Sequence, residues 1–312
     1  MLEHRFAKLV AFATFCLLVI GGTVNATGSS LACKEATFIC NGHVFPAMTG
    51  GVFYEHGHRL VAETVGLLQI VLTILLVRRR PELRRVAWIL LAMIAVQGTL
   101  GAVTVYYKLP WYVSTGHLLL GMSYLAALIY TAFRTRPAPS ALALARHDRL
   151  RAELGAARKW IAIACGAVFV QLLLGALVRH FGAALVCIGI PACTLSGEWW
   201  PDSAIQHLHM FHRIFGVVVA IVTTCAAVAV WRRARSWPQL RILAVVAPLL
   251  VVGQLALGVA TVLTMRAVPL AVGHFAGAAS LWAVWMSAWW MSGQRVPAVR
   301  VSGLDVPALV AP

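Results

Sequence analysis

A histidine followed by an arginine ends two short strings, EHGHR at 55–59 and HMFHR at 209–213, and a histidine ends two others, STGH at 114–117 and AVGH at 271–274. The four residues concerned, His58, His117, His212 and His274, border long apolar runs, where an ionisable side chain is expensive and points to function. For any one of them a hydrogen-bonded structural histidine is the simpler reading. Occurring as two pairs, they suggest metal chemistry. Two imidazoles on neighbouring helices that face one bundle interior can hold a haem iron axially, whereas zinc more often wants a third or fourth protein ligand. The pattern therefore favours one haem per pair over structural histidines. Two axial imidazoles leave no position for O₂ unless one leaves. The four also lie at similar depth, so two such haems form no ladder across a bilayer.

Among the differences between the pairs, one concerns a carboxylate. Three residues before the first histidine stands Glu55 in one and His209 in the other. One helical turn puts Glu55 on the face of His58, where a carboxylate beside one haem only can act as a base or stabilise developing positive charge. A carboxylate favoured by a helix N-terminus is the plainer alternative. The inequality suggests that one haem reacts while the other handles electrons. Arg59 and Arg213 have the depth to meet haem propionates through bidentate pairing, or else orient a helix end. His56, His207 and His209 are candidates for support of the ligands or for proton transfer. Glu63, about a turn deeper than His58, reads either as a buried proton-handling group or as one facing a polar neighbour.

The elements that position these residues repeat. Gly21, Gly28, Cys33, His58 and Arg59 recur 154 positions later as Gly175, Gly182, Cys187, His212 and Arg213, while Gln97, Gly101, Thr104 and His117 recur at 157 as Gln254, Gly258, Thr261 and His274. Two four-helix halves in parallel orientation follow, related by a pseudo-two-fold axis along the membrane normal. The glutamine and glycine positions read first as close helix packing. The expected division is 1–135 for the N-terminal bundle, 136–157 for a cytoplasmic linker, 158–295 for the C-terminal bundle and 296–312 for a cytoplasmic tail.

Composition fixes the setting of these helices. With 61% hydrophobic residues, 12% charged and a mean hydropathy of +0.83, the chain is too poor in charge for a soluble globular protein, which carries about a quarter. Apolar runs at approximately 7–27, 58–77, 86–107, 113–133, 159–180, 205–230, 241–263 and 268–291 are each long enough to cross a bilayer. The fold class expected is an all-α membrane protein of eight transmembrane helices. A net charge of +16 raises nucleic acid as a partner, but the position of the charges removes it. If the N-terminus is cytoplasmic, 20 of the 26 basic residues fall on that side, and only Lys34, Arg59, Lys108, Arg179, Arg213 and Arg266 fall on the other. The positive-inside rule then puts both termini in the cytoplasm and the histidine pairs near the outer face. The first apolar run is read as a retained helix, not a cleaved signal, because its counterpart recurs in mid-chain.

Cys33 and Cys40 share the first outer loop and Cys187 and Cys193 the equivalent loop of the second half, where an oxidising compartment keeps disulfides. Structural staples are favoured over redox-active pairs. Cys16, Cys165 and Cys225 read as small core residues. Trp282, Trp285, Trp289 and Trp290 read as packing and interface anchors.

Taken together, Glu55-x-x-His58-Arg59, the Gln97-to-His117 block, His212-Arg213, the Gln254-to-His274 block and a cysteine pair per half resemble the haem A synthase family, over about residues 7 to 291. The string GGTVNATGSSLAC also looks like the exit of that family's first helix, while KEATFI replaces the Asp-Trp-Pro-type stretch usual between the first two cysteines. The resemblance implies oxidation of the ring-position-8 methyl of haem O to a formyl group. It further implies that His58 and His117 ligate haem O, that Glu55 assists at the methyl, and that His212 and His274 ligate a haem b relaying electrons. Haem O synthase, a quinol or other electron carrier and cytochrome oxidase assembly are the implied partners in a bacterial cytoplasmic membrane, and a homo-oligomer is compatible. Two other readings compete: a non-catalytic di-haem membrane cytochrome passing quinol electrons, which leaves Glu55 without a task, and a repeat-built transporter, which predicts no bound porphyrin.

Overall fold

The structure, a computed structural model, describes residues 1–137 and 141–293, the latter with backbone alone for 141–152. The expected tail at 296–312, with Arg300, lies outside the described residues. Where the bilayer offers no water to backbone groups, a spanning segment must satisfy them internally, which favours helices. Among the described residues eight long helices form: α1 (Leu2–Ala26), α2 (Gly50–Arg79), α3 (Arg84–Tyr106), α4 (Trp111–Arg134), α5 (Ala141–His180), α6 (Ala204–Arg233), α7 (Pro238–Leu263) and α8 (Val268–Gly293). All eight are long and apolar enough to span a membrane, and the protein is an eight-span membrane protein. Seven of these helices start before their apolar runs, because arginines and polar turns continue a helix beyond the hydrocarbon. His58 and His117 therefore do not open their helices. α2 starts at Gly50 and α4 at Trp111, so the rings hang one to two turns inside.

Each of α1 to α4 packs on its chain neighbour and α4 closes on α1; α5 to α8 do the same. The two rings meet along a seam where α8 lies against α1 and α4, and α4 against α5. One apolar core fills the first ring around Val65, Leu72, Tyr124 and Leu128. A larger one fills the second and crosses the seam to Met122 and Ala126. There Trp282 donates its indole N–H to the Met122 carbonyl at 2.9 Å. Trp282 and Trp285 are thus packing residues, 6% and 1% exposed.

The backbone itself repeats. Lys108 and Leu109 between α3 and α4, and Met265 and Arg266 between α7 and α8, are consecutive left-handed residues at equivalent positions. The Leu109 amide donates to Thr104 and the Arg266 amide to Thr261, both at 2.7 Å. Non-glycine residues rarely adopt this conformation, so its recurrence ties both turns to one local design. In the segment expected as a linker, 141 onward is helical and joins the spanning part of α5 through Gly155, whose φ of 23° breaks the helix. Glu3 paired with Arg79, and Arg80 donating to the Arg134 carbonyl, gather the start of α1 and the ends of α2 and α4 at one end of the bundle. Both disulfide loops lie at the other.

Candidate functional site

Each of the four histidines rests its ring on a glycine of the preceding helix. A Cβ on Gly21 would meet His58 Cε1 at 2.9 Å, on Gly101 His117 Cε1 at 3.4 Å, on Gly175 His212 Cε1 at 3.1 Å and on Gly258 His274 Cε1 at 3.3 Å. Glycine is needed here for the missing side chain, which lets the ring edge lie on the neighbouring backbone. Glutamine side chains brace two of the histidine-bearing turns, and a backbone carbonyl holds a third ring. Gln97 donates to the His117 carbonyl at 2.8 Å, Gln171 to the His212 carbonyl at 3.0 Å, and the Gln254 carbonyl pairs with His274 Nδ1 at 3.1 Å.

These rings suit an iron porphyrin. At His58, His117 and His212 the sealed and unpartnered ring nitrogen is Nδ1, which leaves Nε2 to meet a ligand. In the second ring the His212 and His274 centroids are 6.4 Å apart with planes at 86°. Two imidazoles sharing one metal, with bonds of about 2 Å and ring centres roughly 1 Å behind each nitrogen, stand about 6 Å apart. His274 also shows the second hydrogen bond, to a carbonyl, that metal-binding histidines use to fix ring and tautomer. In the first ring His58 and His117 lie within electrostatic reach of one another.

Glu55 is buried, 4% exposed, and both carboxylate oxygens have partners. Oε2 accepts the Cys33 amide at 2.9 Å and Oε1 the Arg59 guanidinium at 2.6 Å. Arg59 also donates to the carbonyls of Glu35, Thr37 and Ile39. In the second half Arg213 donates to the carbonyls of Gly189, Ala192 and Cys187 and to His209 Nε2 at 3.3 Å. The two positions that break the repeat therefore hold the same post, acceptor for the arginine one turn on, once as an anion and once as an imidazole. The guanidinium groups expected beside propionates are bonded to the disulfide loops and to Glu55 or His209.

Those loops are closed by Cys33–Cys40 and Cys187–Cys193 disulfides. Under the first lies His56, buried with both ring nitrogens unpartnered; under the second lies its repeat counterpart, Met210. Glu35 caps the first loop by accepting the amides of Asn41 at 2.6 Å and Gly42 at 3.1 Å. Its own backbone amide, with those two, holds its carboxyl below the usual 4.5.

His207 packs its ring edge on Trp200. Glu63 is exposed on α2, so the buried role is withdrawn: its helix turns that position away from the bundle. Cys225 is likewise exposed, while Cys16 and Cys165 are half-buried. A small thiol is apolar enough to face lipid, which composition cannot tell from a core position. Two residues escaped the sequence reading. Gln171 has no counterpart in the first half, where Leu17 stands. Arg179, at the seam, showed only as a basic residue on the side with few.

Comparison with known proteins bears on these sites. A family described as cytochrome oxidase assembly protein matches residues 46–286. The chain is 30% identical over 278 residues to a Heme A synthase of Shouchella clausii, covering 84% of this chain and 87% of that one. It is 27% identical to a Heme A synthase of Geobacillus kaustophilus, covering 86% and 84%, and 26% identical to one of Maricaulis maris, covering 92% and 95%. The matched span takes in both histidine pairs, Arg59 and Arg213, the second disulfide loop and the glycines of the second ring, and the chain belongs to the haem A synthase family of cytochrome oxidase assembly proteins.

Proposed function

We propose that the protein oxidises the ring-position-8 methyl of haem O to a formyl group, yielding haem A, with the substrate held by His58 and His117 and a haem b by His212 and His274. The observation that carries this reading is the broken repeat at Glu55 and His209: two sites alike in ligands and glycine backing differ in a buried carboxylate one turn before the first ligand. A haem in the second ring supplies one-electron redox chemistry. Membership of the family accords with a role in haem A biosynthesis.

The chain's own groups do the rest. Gly21 and Gly101 let both rings of the first pair seat deep, and Gln97 pins the backbone of His117. Loss of either ligand is therefore resisted, and a route that binds O₂ at the iron would require it. Removal of electrons followed by attack of water does not. In that route R–CH₃ and water would give R–CHO, with four protons and four electrons that a carrier of the quinone class would accept, and a haem held by His212 and His274 would supply the one-electron chemistry between them. Glu55, held by Arg59 and the Cys33 amide, stabilises the positive charge at the methyl carbon or accepts the proton of the attacking water. Haem O synthase supplies the substrate and oxidase assembly consumes the product. The skewed basic residues support a bacterial cytoplasmic membrane location with both sites near the outer face.

Mass analysis of porphyrins extracted from the purified protein tests this: haem A or its hydroxylated precursor is expected. Haem b alone would favour the electron-transfer cytochrome, and no porphyrin the transporter. Label from oxygen gas in the formyl group of a single turnover would sink the water route.

A further inference from the structure

Among the described residues, two arginines at the seam have no carboxylate partner. Arg179, in the last turn of α5, donates Nη2 to the Gly21 carbonyl at 3.2 Å, and its guanidinium carbon stands 5.3 Å from the centre of the Phe275 ring. Its Nε is buried and unpartnered. Arg266, within Coulombic reach of it, donates to the Asn25 carbonyl at 2.9 Å and to Asn25 Oδ1 at 3.3 Å. The ion pairs among the described residues involve Glu3, Glu55 and Glu82 as acids, and none reaches either arginine. Two like charges side by side at the end of an apolar bundle are costly without an anion between them. A helix C-terminus eases the charge of Arg179 by a fraction only.

Their place says which anion. Gly21, whose carbonyl receives Arg179, carries the His58 ring, and the next residue on α5, His180, bonds Thr115 on α4 at 3.0 Å, two positions before His117. Arg179 thus belongs to the second half by sequence and reaches into the first by structure. Its repeat counterpart is Asn25, and that of Arg266 is Leu109, so the first half supplies neither charge. The arginines expected to meet porphyrin carboxylates are already bonded to loop carbonyls and to Glu55 or His209.

The geometry points to Arg179, backed by Arg266, as the group that receives a propionate of the porphyrin held between His58 and His117. The second half then completes the first half's binding site across the seam. This rests on the haem reading above.

The test compares iron protoporphyrin IX with its dimethyl ester, which lacks the carboxylates, by absorbance titration of haem-depleted full-length chain in detergent. H212A/H274A isolates the first site, and the two-step wild-type titration makes the same comparison should that variant not fold. The diacid is expected to bind at least tenfold more tightly than the diester. R179Q should remove most of that preference while leaving diester affinity within threefold, and R179K should keep it. Equal weakening of both ligands by R179Q would make Arg179 a structural clamp and overturn the inference, as would no preference in the unmodified site. Failure of both porphyrins to bind wild-type chain would overturn the haem reading itself.

Discussion

Gly21 on α1 and His58 on α2 touch so closely that a methyl group on the glycine would stand 2.9 Å from the imidazole Cε1. The same contact recurs at the other three histidines at 3.1 to 3.4 Å. A well-packed site resists added carbon at about 1–3 kcal/mol, and about 1.4 kcal/mol is tenfold in affinity. G21A should lower haem occupancy of the first site roughly tenfold or more by quantitative haem extraction, and G101A less. G98A, with nothing within 4 Å of its Cβ, is the control and should bind as wild type.

Replacing Glu55 separates its chemical role from its structural one. E55Q keeps an acceptor for the Cys33 amide and should retain both porphyrins while haem A output falls at least tenfold. Unchanged output would remove Glu55 from the reaction. E55A also frees the loop, and faster reduction of Cys33–Cys40 by dithiothreitol should reveal it.

Arg59 and Arg213 hold their loops in the same way but have different acceptors. R213A leaves loop carbonyls and a neutral imidazole short of a donor, a loss of about 2 kcal/mol. R59A also strands the buried Glu55 carboxylate, and breaking a buried pair costs about 3–5 kcal/mol. The midpoint of thermal unfolding should therefore drop further for R59A than for R213A. The reverse order would deny that Glu55 is charged there.

Glu35 makes the first loop sensitive to acid. Its folded carboxyl is depressed below 4.5, so its bonds to the loop amides stabilise fully above that value and are lost as pH falls through the lower folded one. Reduction of Cys33–Cys40 by a phosphine, compared with an unstructured disulfide at each pH, should show no relative gain above pH 4.5 and a gain as the pH falls below it. E35Q should show no such gain.

Much of this was legible in the chain. Eight spans follow from apolar length, and the repeat from fixed offsets, both local properties of the string. The histidine pairs and the disulfide loops follow from the repeat. α2 starts at Gly50, ahead of its apolar run, because Tyr54, Glu55 and His56 interrupt apolar periodicity yet form helix, polar groups being tolerated near a bundle end. The exposure of Glu63 and Cys225 could not be read, since in a membrane helix both faces are apolar and hydropathy does not distinguish lipid from core.

Residue types and their spacing, by themselves, determined which side chains could ligate, which half carries the carboxylate and which segments cross the bilayer. Only tertiary structure decided what those side chains touch. Arg59 and Arg213 turn to loop carbonyls, the glycines seat the rings, and Arg179 crosses to the other half, because each depends on where a second helix places its backbone, and that is fixed by packing across the seam.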